Sequence, residues 1–186
     1  MRFFIALEIP SVNRLQFQSI QAKLHTIIPQ ARLTSLDKIH LTLAFLGEQP
    51  DNLVSDLTKI IEGAASGIPP FEVTPAYIDG FPNIHNPNNL WVGVKEDIDK
   101  ILLIRERIKD GLVALNLPVD ERRFTPHITI AKLSGSFKIS QEMEVELERL
   151  MAQAFDPIKI TSIKLFESIP QHDFHRHSTL AEVKLN

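Results

Sequence analysis

The sequence predicts an α+β fold built from two similar lobes, with the chemistry placed where the lobes meet. The heptapeptide His40-Leu-Thr-Leu-Ala-Phe-Leu46 returns as His127-Ile-Thr-Ile-Ala-Lys-Leu133, with His, Thr, Ala and Leu matching at alternate positions. Each copy is followed by a segment of helical period and then by further strand-like segments, the order expected of an internal duplication. No low-complexity tract or flexible linker divides the halves. A chain of 186 residues is the size of one domain and can bury roughly 70% of its unfolded surface. Residues 1–186 therefore read as a single domain of two interleaved lobes.

The elements follow in order. Residues 3–9 form an apolar strand stopped by Pro10, after which Ser11 is placed to cap a helix striped by Val12, Leu15, Ile20, Leu24 and Ile27. Pro29 ends that helix, a short strand lies near residues 32–34, and residues 38–46 form the first His strand, broken by Gly47. Asp51 opens a second helix carrying Leu53, Val54, Leu57, Ile60, Ile61 and Ala64. Residues 71–78 read as a strand, and residues 80–89, rich in Pro and Asn, as an exposed loop. A strand at 90–94 precedes the clearest helix, 98–115, whose Ile98, Ile101, Leu102, Ile108, Leu112 and Leu115 share a face. Residues 124–133 form the second His strand and 140–154 an acidic helix. Residues 158–167 and 177–185 close the chain as two strands.

Composition narrows the function. Apolar residues make up 44% and charged residues 23%, ordinary for a globular protein. A net charge of −3 gives no general field for polyanions, so any nucleic-acid contact is local, at one cleft or one strand end. The absence of cysteine removes thiol nucleophiles, disulfides and cysteine-ligated zinc. It also fits a cytoplasmic setting. The apolar run at residues 3–7 is too short for a signal segment or a membrane span. No cofactor and no membrane partner are expected, and nothing demands more than a monomer.

Alternate residues of a strand share a face, so each His-x-Thr sets an imidazole and a hydroxyl side by side, roughly 6.6 Å apart. Two such strands facing each other offer two histidines and two hydroxyls to one anionic group, a pattern suited to acid–base chemistry on a phosphate. A single His-x-Thr is a weak motif, and this chain has three, because His177-Ser-Thr179 also fits. Context separates them. The first two copies alternate with Leu, Phe and Ile, whereas the third alternates with Ser178, Glu182 and Lys184, as on an edge strand. Context thus sets His177 partly apart from the pair His40/His127 and leaves the choice open at this point. The tail His172-Asp173-x-His175-x-His177 superficially suggests a metal site. A polar loop before the last strand explains it more simply, and no metal is expected.

The double motif with its flanks resembles the signatures of the two-histidine phosphoesterase superfamily, and more narrowly the RNA 2′,3′-cyclic phosphodiesterases, historically called 2′-5′ RNA ligases. The residues that carry the resemblance are His40-Leu-Thr-Leu with the trailing Phe45-Leu-Gly-Glu48, and Arg122-x-Phe124-x-Pro126-His127-Ile-Thr-Ile. Residues 2–7, Gly80-Phe81-Pro82, residues 90–93 and residues 165–168 fall in family order. The resemblance implies a bilobal fold with a pseudo-twofold axis, whose antiparallel sheets face a central cleft. It implies metal-independent opening of a terminal 2′,3′-cyclic phosphate to a 2′-phosphate, with RNA 3′ ends or short oligonucleotides as partners. Reversible 2′-5′ ligation is a further activity of the family.

On this resemblance His40 is the proton donor, His127 the proton acceptor, and Thr42 and Thr129 bind the non-bridging oxygens. Lys132 stands where the family usually has Arg. It keeps the charge but loses the bidentate fork, and its offset of five from His127 would point it away from the site on an ideal strand. Phe45, at the matching offset in the first copy, is either a base-stacking residue or, the preferred reading, a core phenylalanine. Arg122 and Arg123 are candidate contacts for the RNA strand. The alternatives are a phosphodiesterase for another cyclic or 2′-5′-linked nucleotide, and a non-catalytic RNA-end binding module.

Overall fold

A computed structural model describes all residues, 1–186. The chain runs β1 (Arg2–Glu8), α1 (Arg14–Ile27), β2 (Arg32–Leu33), β3 (His40–Glu48), α2 (Val54–Ala65), β4 (Phe71–Phe81), β5 (Asn89–Lys95), α3 (Ile98–Ala114), β6 (His127–Lys132), α4 (Gln141–Met151), β7 (Ile158–Ile160), β8 (Ser162–Pro170) and β9 (His175–Lys184). The strands pair antiparallel in the order β7-β4-β5-β6-β3-β1-β8-β9, with β2 beside β6. Read from the middle, this order is two half-sheets, β6-β5-β4-β7 and β3-β1-β8-β9. The units β1-α1-β3 and β5-α3-β6 repeat one plan, in which a strand is followed by a helix and then an antiparallel neighbour. The halves join through the pair Leu41↔Ile128, both fully buried.

One face of the sheet is covered by the helices. The main core of 40 buried residues lies there, with Phe3, Ile5, Leu7, Leu41, Leu43, Ile128 and Ile130 packed against Phe17, Leu57, Ile61, Ile104 and Ile108. Each fully buried Leu, Ile or Phe stabilises by about 1.5–3 kcal/mol, and strand alternation sends the other residues to the opposite face. A separate cluster of Phe4, Ala6 and Phe166 lies on that opposite face. The site is built there. No helix is long and apolar enough to cross a membrane.

Several segments differ from the sequence reading: β3 runs through Gly47 to Glu48 and β9 starts at His175. Residues 158–167 are two strands, because the chain changes partner: β7 pairs with β4 in one half, and β8 with β1 and β9 in the other. The apolar alternation of Ile158 and Ile160 changes phase to Ile163 and Leu165, and this shift marks the switch. Ser11 makes no capping bond; a 3₁₀ turn at Ser11–Asn13 precedes α1. The tighter turn rotates the expected stripe away, leaving Val12 82% and Leu15 76% exposed, while Phe17, Ile20, Gln21 and Leu24 form the buried face. Strand β4 runs through to Phe81, taking up the start of the expected loop.

Candidate active site

The seam sets the geometry. With Leu41 opposite Ile128 and both turned into the core, the antiparallel register, continued one residue either way, sets His40 across from Thr129 and Thr42 across from His127. All four then occupy the open face as a diagonal square, each imidazole flanked by one hydroxyl along its own strand and one across it. His40, Thr42, His127 and Thr129 are half-buried.

Each imidazole sits among aromatic rings. His40 stacks on Phe4 at 5.1 Å between ring centroids and lies 5.8 Å from Phe166. His127 meets Phe81 edge-on at 5.0 Å and Trp91 at 5.5 Å. Trp91 reaches this face because it pairs with Thr129. The residue opposite His127 is Gly93, where an added Cβ would stand 2.2 Å from the Tyr77 ring, so only glycine lets that ring cross the strand. Sequence alone does not mark these aromatic walls as site residues. Their alternate spacing with the apolar core was visible, but the cross-strand register that aims them at the histidines was not.

Burial in this setting disfavours the imidazolium forms. The His40 pKa is pulled down to about 4, first by burial and then by the neighbouring His177. That of His127 is lowered by burial, partly offset by its bond to the Thr125 carbonyl. That bond has His127 Nδ1 2.8 Å from the Thr125 oxygen. A carbonyl only accepts, so Nδ1–H is the donor, and neutral His127 presents an unprotonated Nε2, the tautomer of a proton acceptor. The loop carrying Thr125 is held by buried Arg105, which donates to the Asp120 carbonyl at 3.3 Å and lies over the Phe124 ring at 5.2 Å.

Lys132 and Phe45 reach the site face through paired β-bulges. Along β6, Thr129 pairs with Trp91 and Ala131 with Leu90, leaving Ile130 as an extra residue. Lys132 then pairs with Asn89 and returns to the face of Trp91 and Thr129. Along β3, Ala6 pairs with Thr42 and Ile5 with Ala44, leaving Leu43 extra and turning Phe45 to the face of Phe4. The preferred reading of Phe45 as core is therefore corrected: it is 73% exposed, 6.0 Å from Phe4. The Ile130 carbonyl accepts from the Thr34 amide at 2.9 Å and from Gln21 Nε2 at 3.0 Å. Gln21 is buried and also donates to the Thr34 carbonyl at 2.7 Å. A glutamine amid an apolar helix face was the available signal for this support.

Arg122 is 89% exposed at its side chain and held by Asp120, with Nη2 to Oδ2 at 2.7 Å. His177, set apart by its edge-strand context, lies beside His40. Its ring centroid is 5.4 Å from that of His40 and 4.8 Å from that of Phe4. Three intervening strand spacings would separate β3 from β9 by about 14 Å in a flat sheet, so this closeness reports the curl of the half-sheet.

The profile of the 2′-5′ RNA ligase superfamily matches residues 28–167, a span holding both His-x-Thr strands. An RNA 2′,3′-cyclic phosphodiesterase of Thermotoga maritima is 30% identical over 133 residues, covering 72% of this chain and 70% of that protein. A protein of the same name from Geobacillus stearothermophilus is 28% identical over 130 residues, 70% of this chain but 41% of that longer protein. Among solved structures, E. coli LigT complexed with 3′-AMP superposes with a TM-score of 0.77 at 22% identity, over 99% of this chain and 97% of that one. A Thermus thermophilus protein gives 0.77 at 21%, over 100% and 98%. These likenesses show a common fold, and the profile carries the assignment: the chain belongs to the 2′-5′ RNA ligase superfamily.

Proposed function

We propose that this protein hydrolyses the terminal 2′,3′-cyclic phosphate of RNA 3′ ends or short oligonucleotides to a 2′-phosphate, by metal-independent acid–base catalysis. The observation that carries the reading is the diagonal square of His40, Thr42, His127 and Thr129 across the seam. A phosphate seated on it has an imidazole on each side and a hydroxyl beside each imidazole. Water bound at His127 Nε2 gives up a proton as its oxygen attacks phosphorus. The P–O3′ bond breaks in line, and the 3′ oxygen takes its proton from His40. Thr42, Thr129 and Lys132 stabilise charge on the non-bridging oxygens, and Phe45 offers an exposed ring for a base.

Burial favours neutral histidines, so the substrate supplies part of its own catalysis: a phosphate anion beside His40 raises its pKa and recruits the proton it will donate. The same reading takes the chain as a monomer acting in the cytoplasm, in keeping with its cysteine-free composition.

The test is product analysis of an oligoribonucleotide ending in 2′,3′-cyclic phosphate, incubated with the protein in EDTA. The expected product carries a 2′-phosphate and a free 3′-hydroxyl. A 3′-phosphate, or no product once metals are chelated, would contradict the reading.

A further inference from the structure

Strand β9 breaks the internal symmetry of the fold. It pairs with β8 over residues Ser162–Pro170, whereas β7, at the opposite edge, has three residues and pairs only with Phe71–Val73. The added length carries chemistry. His177 pairs with Ser168 and Thr179 with Phe166, so His175, His177 and Thr179 lie on the face of Phe166 and the catalytic square. His177 abuts His40, and His175 Nδ1 lies 3.3 Å from Ser168 Oγ. Lys38, two residues before His40, holds its ammonium 5.4 Å from the centroid of the Phe174 ring, which is 57% exposed. The rings beside His127 are Phe81 and Trp91, and the position two residues before it, which matches Lys38, is Thr125.

These groups form a row leading outward from the reacting centre. Along it, His175 and His177 stand two strand residues, roughly 6.6 Å, apart, on the order of one nucleotide step. Nδ1 of His177 is buried without a partner. Nε2 is therefore the His177 nitrogen available to donate outward, which the neutral ring can do without charge. Lys38 supplies the fixed positive charge. The carboxylate facing this row, Asp37, accepts the hydroxyl of Ser35. Asp173, further out at the loop, lies 3.9 Å from His172 Nε2. Lys164, on the same sheet face, is committed to Glu8 at 2.6 Å, so it leaves the row to Lys38 and the two histidines.

We propose that Lys38, His177 and His175 form a second phosphate subsite, which takes the phosphate on the 5′ side of the nucleoside bearing the cyclic phosphate. The inference rests on the cyclic phosphodiesterase reading and sharpens its substrate. The protein selects cyclic phosphates at the end of a strand, or on a 5′-phosphorylated nucleoside, over a bare nucleoside 2′,3′-cyclic phosphate. His177 and Lys38 are substrate-binding residues in this role. The third His-x-Thr, an edge-strand coincidence by sequence, becomes the residue that reads strand continuity.

The experiment compares kcat/KM for adenosine 2′,3′-cyclic phosphate with and without a 5′-phosphate, for the native chain, Lys38→Gln and His177→Phe. The native chain is expected to prefer the 5′-phosphorylated substrate by about tenfold or more, a preference that shrinks as salt rises. In each variant the ratio falls toward one. A native ratio of one, or variants that slow both substrates equally and keep the native ratio, would overturn the subsite while leaving hydrolysis intact. Hydrolysis of neither substrate by the native chain would remove the underlying reading, and the subsite with it.

Discussion

His127 and His40 occupy equivalent places in the duplicated fold, and their sequences give no means of telling acid from base. The Thr125 carbonyl supports the proposed assignment of His127 as base, by fixing the proton of neutral His127 on Nδ1. With the His40 pKa pulled down to about 4 and that of His127 also lowered, few free molecules at neutral pH hold the required pair of states, His40 charged and His127 neutral. The pH profile of kcat/KM, which reports the free protein, is therefore expected to be bell-shaped with its optimum on the acid side of neutrality. The basic limb of kcat, which reports the complex, should lie at higher pH, because the bound phosphate stabilises the imidazolium of His40. Superimposable limbs, or a profile flat through neutrality, would contradict this. At the same scale, Lys132 and Phe45 show where residue spacing misleads. Five positions after each histidine is an odd offset that points away from the site on an ideal strand, and one extra residue in each strand reverses it.

Most elements were legible because their periodicities follow from which face is buried: the clearest helix spans Ile98–Ala114, β6 falls within its expected run, and β1, β3 and β5 overlap theirs and extend beyond them by one or two residues. The illegible parts involve partners. The unburied start of the α1 stripe and the two bulges are decided by what lies across the ladder. Gln21 is an example. On the α1 face it looks like an interruption, yet its amide donates to the carbonyl of Ile130, the extra residue of the β6 bulge. Replacing it with Leu, of similar size, would leave the Thr34 carbonyl without this donor and the Ile130 carbonyl with one donor fewer. Gln21→Leu is expected to lose about 1–2 kcal/mol of stability and to lower kcat more than it raises KM, because β6 carries His127, Thr129 and Lys132 together. Denaturant unfolding and steady-state rates check both. A stable variant with native kcat would show that the bulge holds without Gln21.

At the scale of the molecule, two half-sheets meet through one buried residue pair, and the outward neighbours of that pair are the four residues proposed to do the chemistry. The duplication was readable from the repeated heptapeptide, and the meeting of the two His strands followed from it. The asymmetry was not readable: β9 is long and β7 short, a difference of pairing that brings the third His-x-Thr against the first. The central claim is that His40 and His127 act as one acid–base unit on opposite sides of a phosphate. Residues acting as a unit are strongly non-additive when removed, so the most direct measurement is the hydrolysis rate of a 2′,3′-cyclic-phosphate oligonucleotide in EDTA by the native chain, His40→Ala, His127→Ala and the double variant. Each single variant is expected to lose about 10²–10⁴-fold, and the double variant to be within a few-fold of the slower single. Near-native activity in either single variant, or losses that multiply in the double, would contradict it.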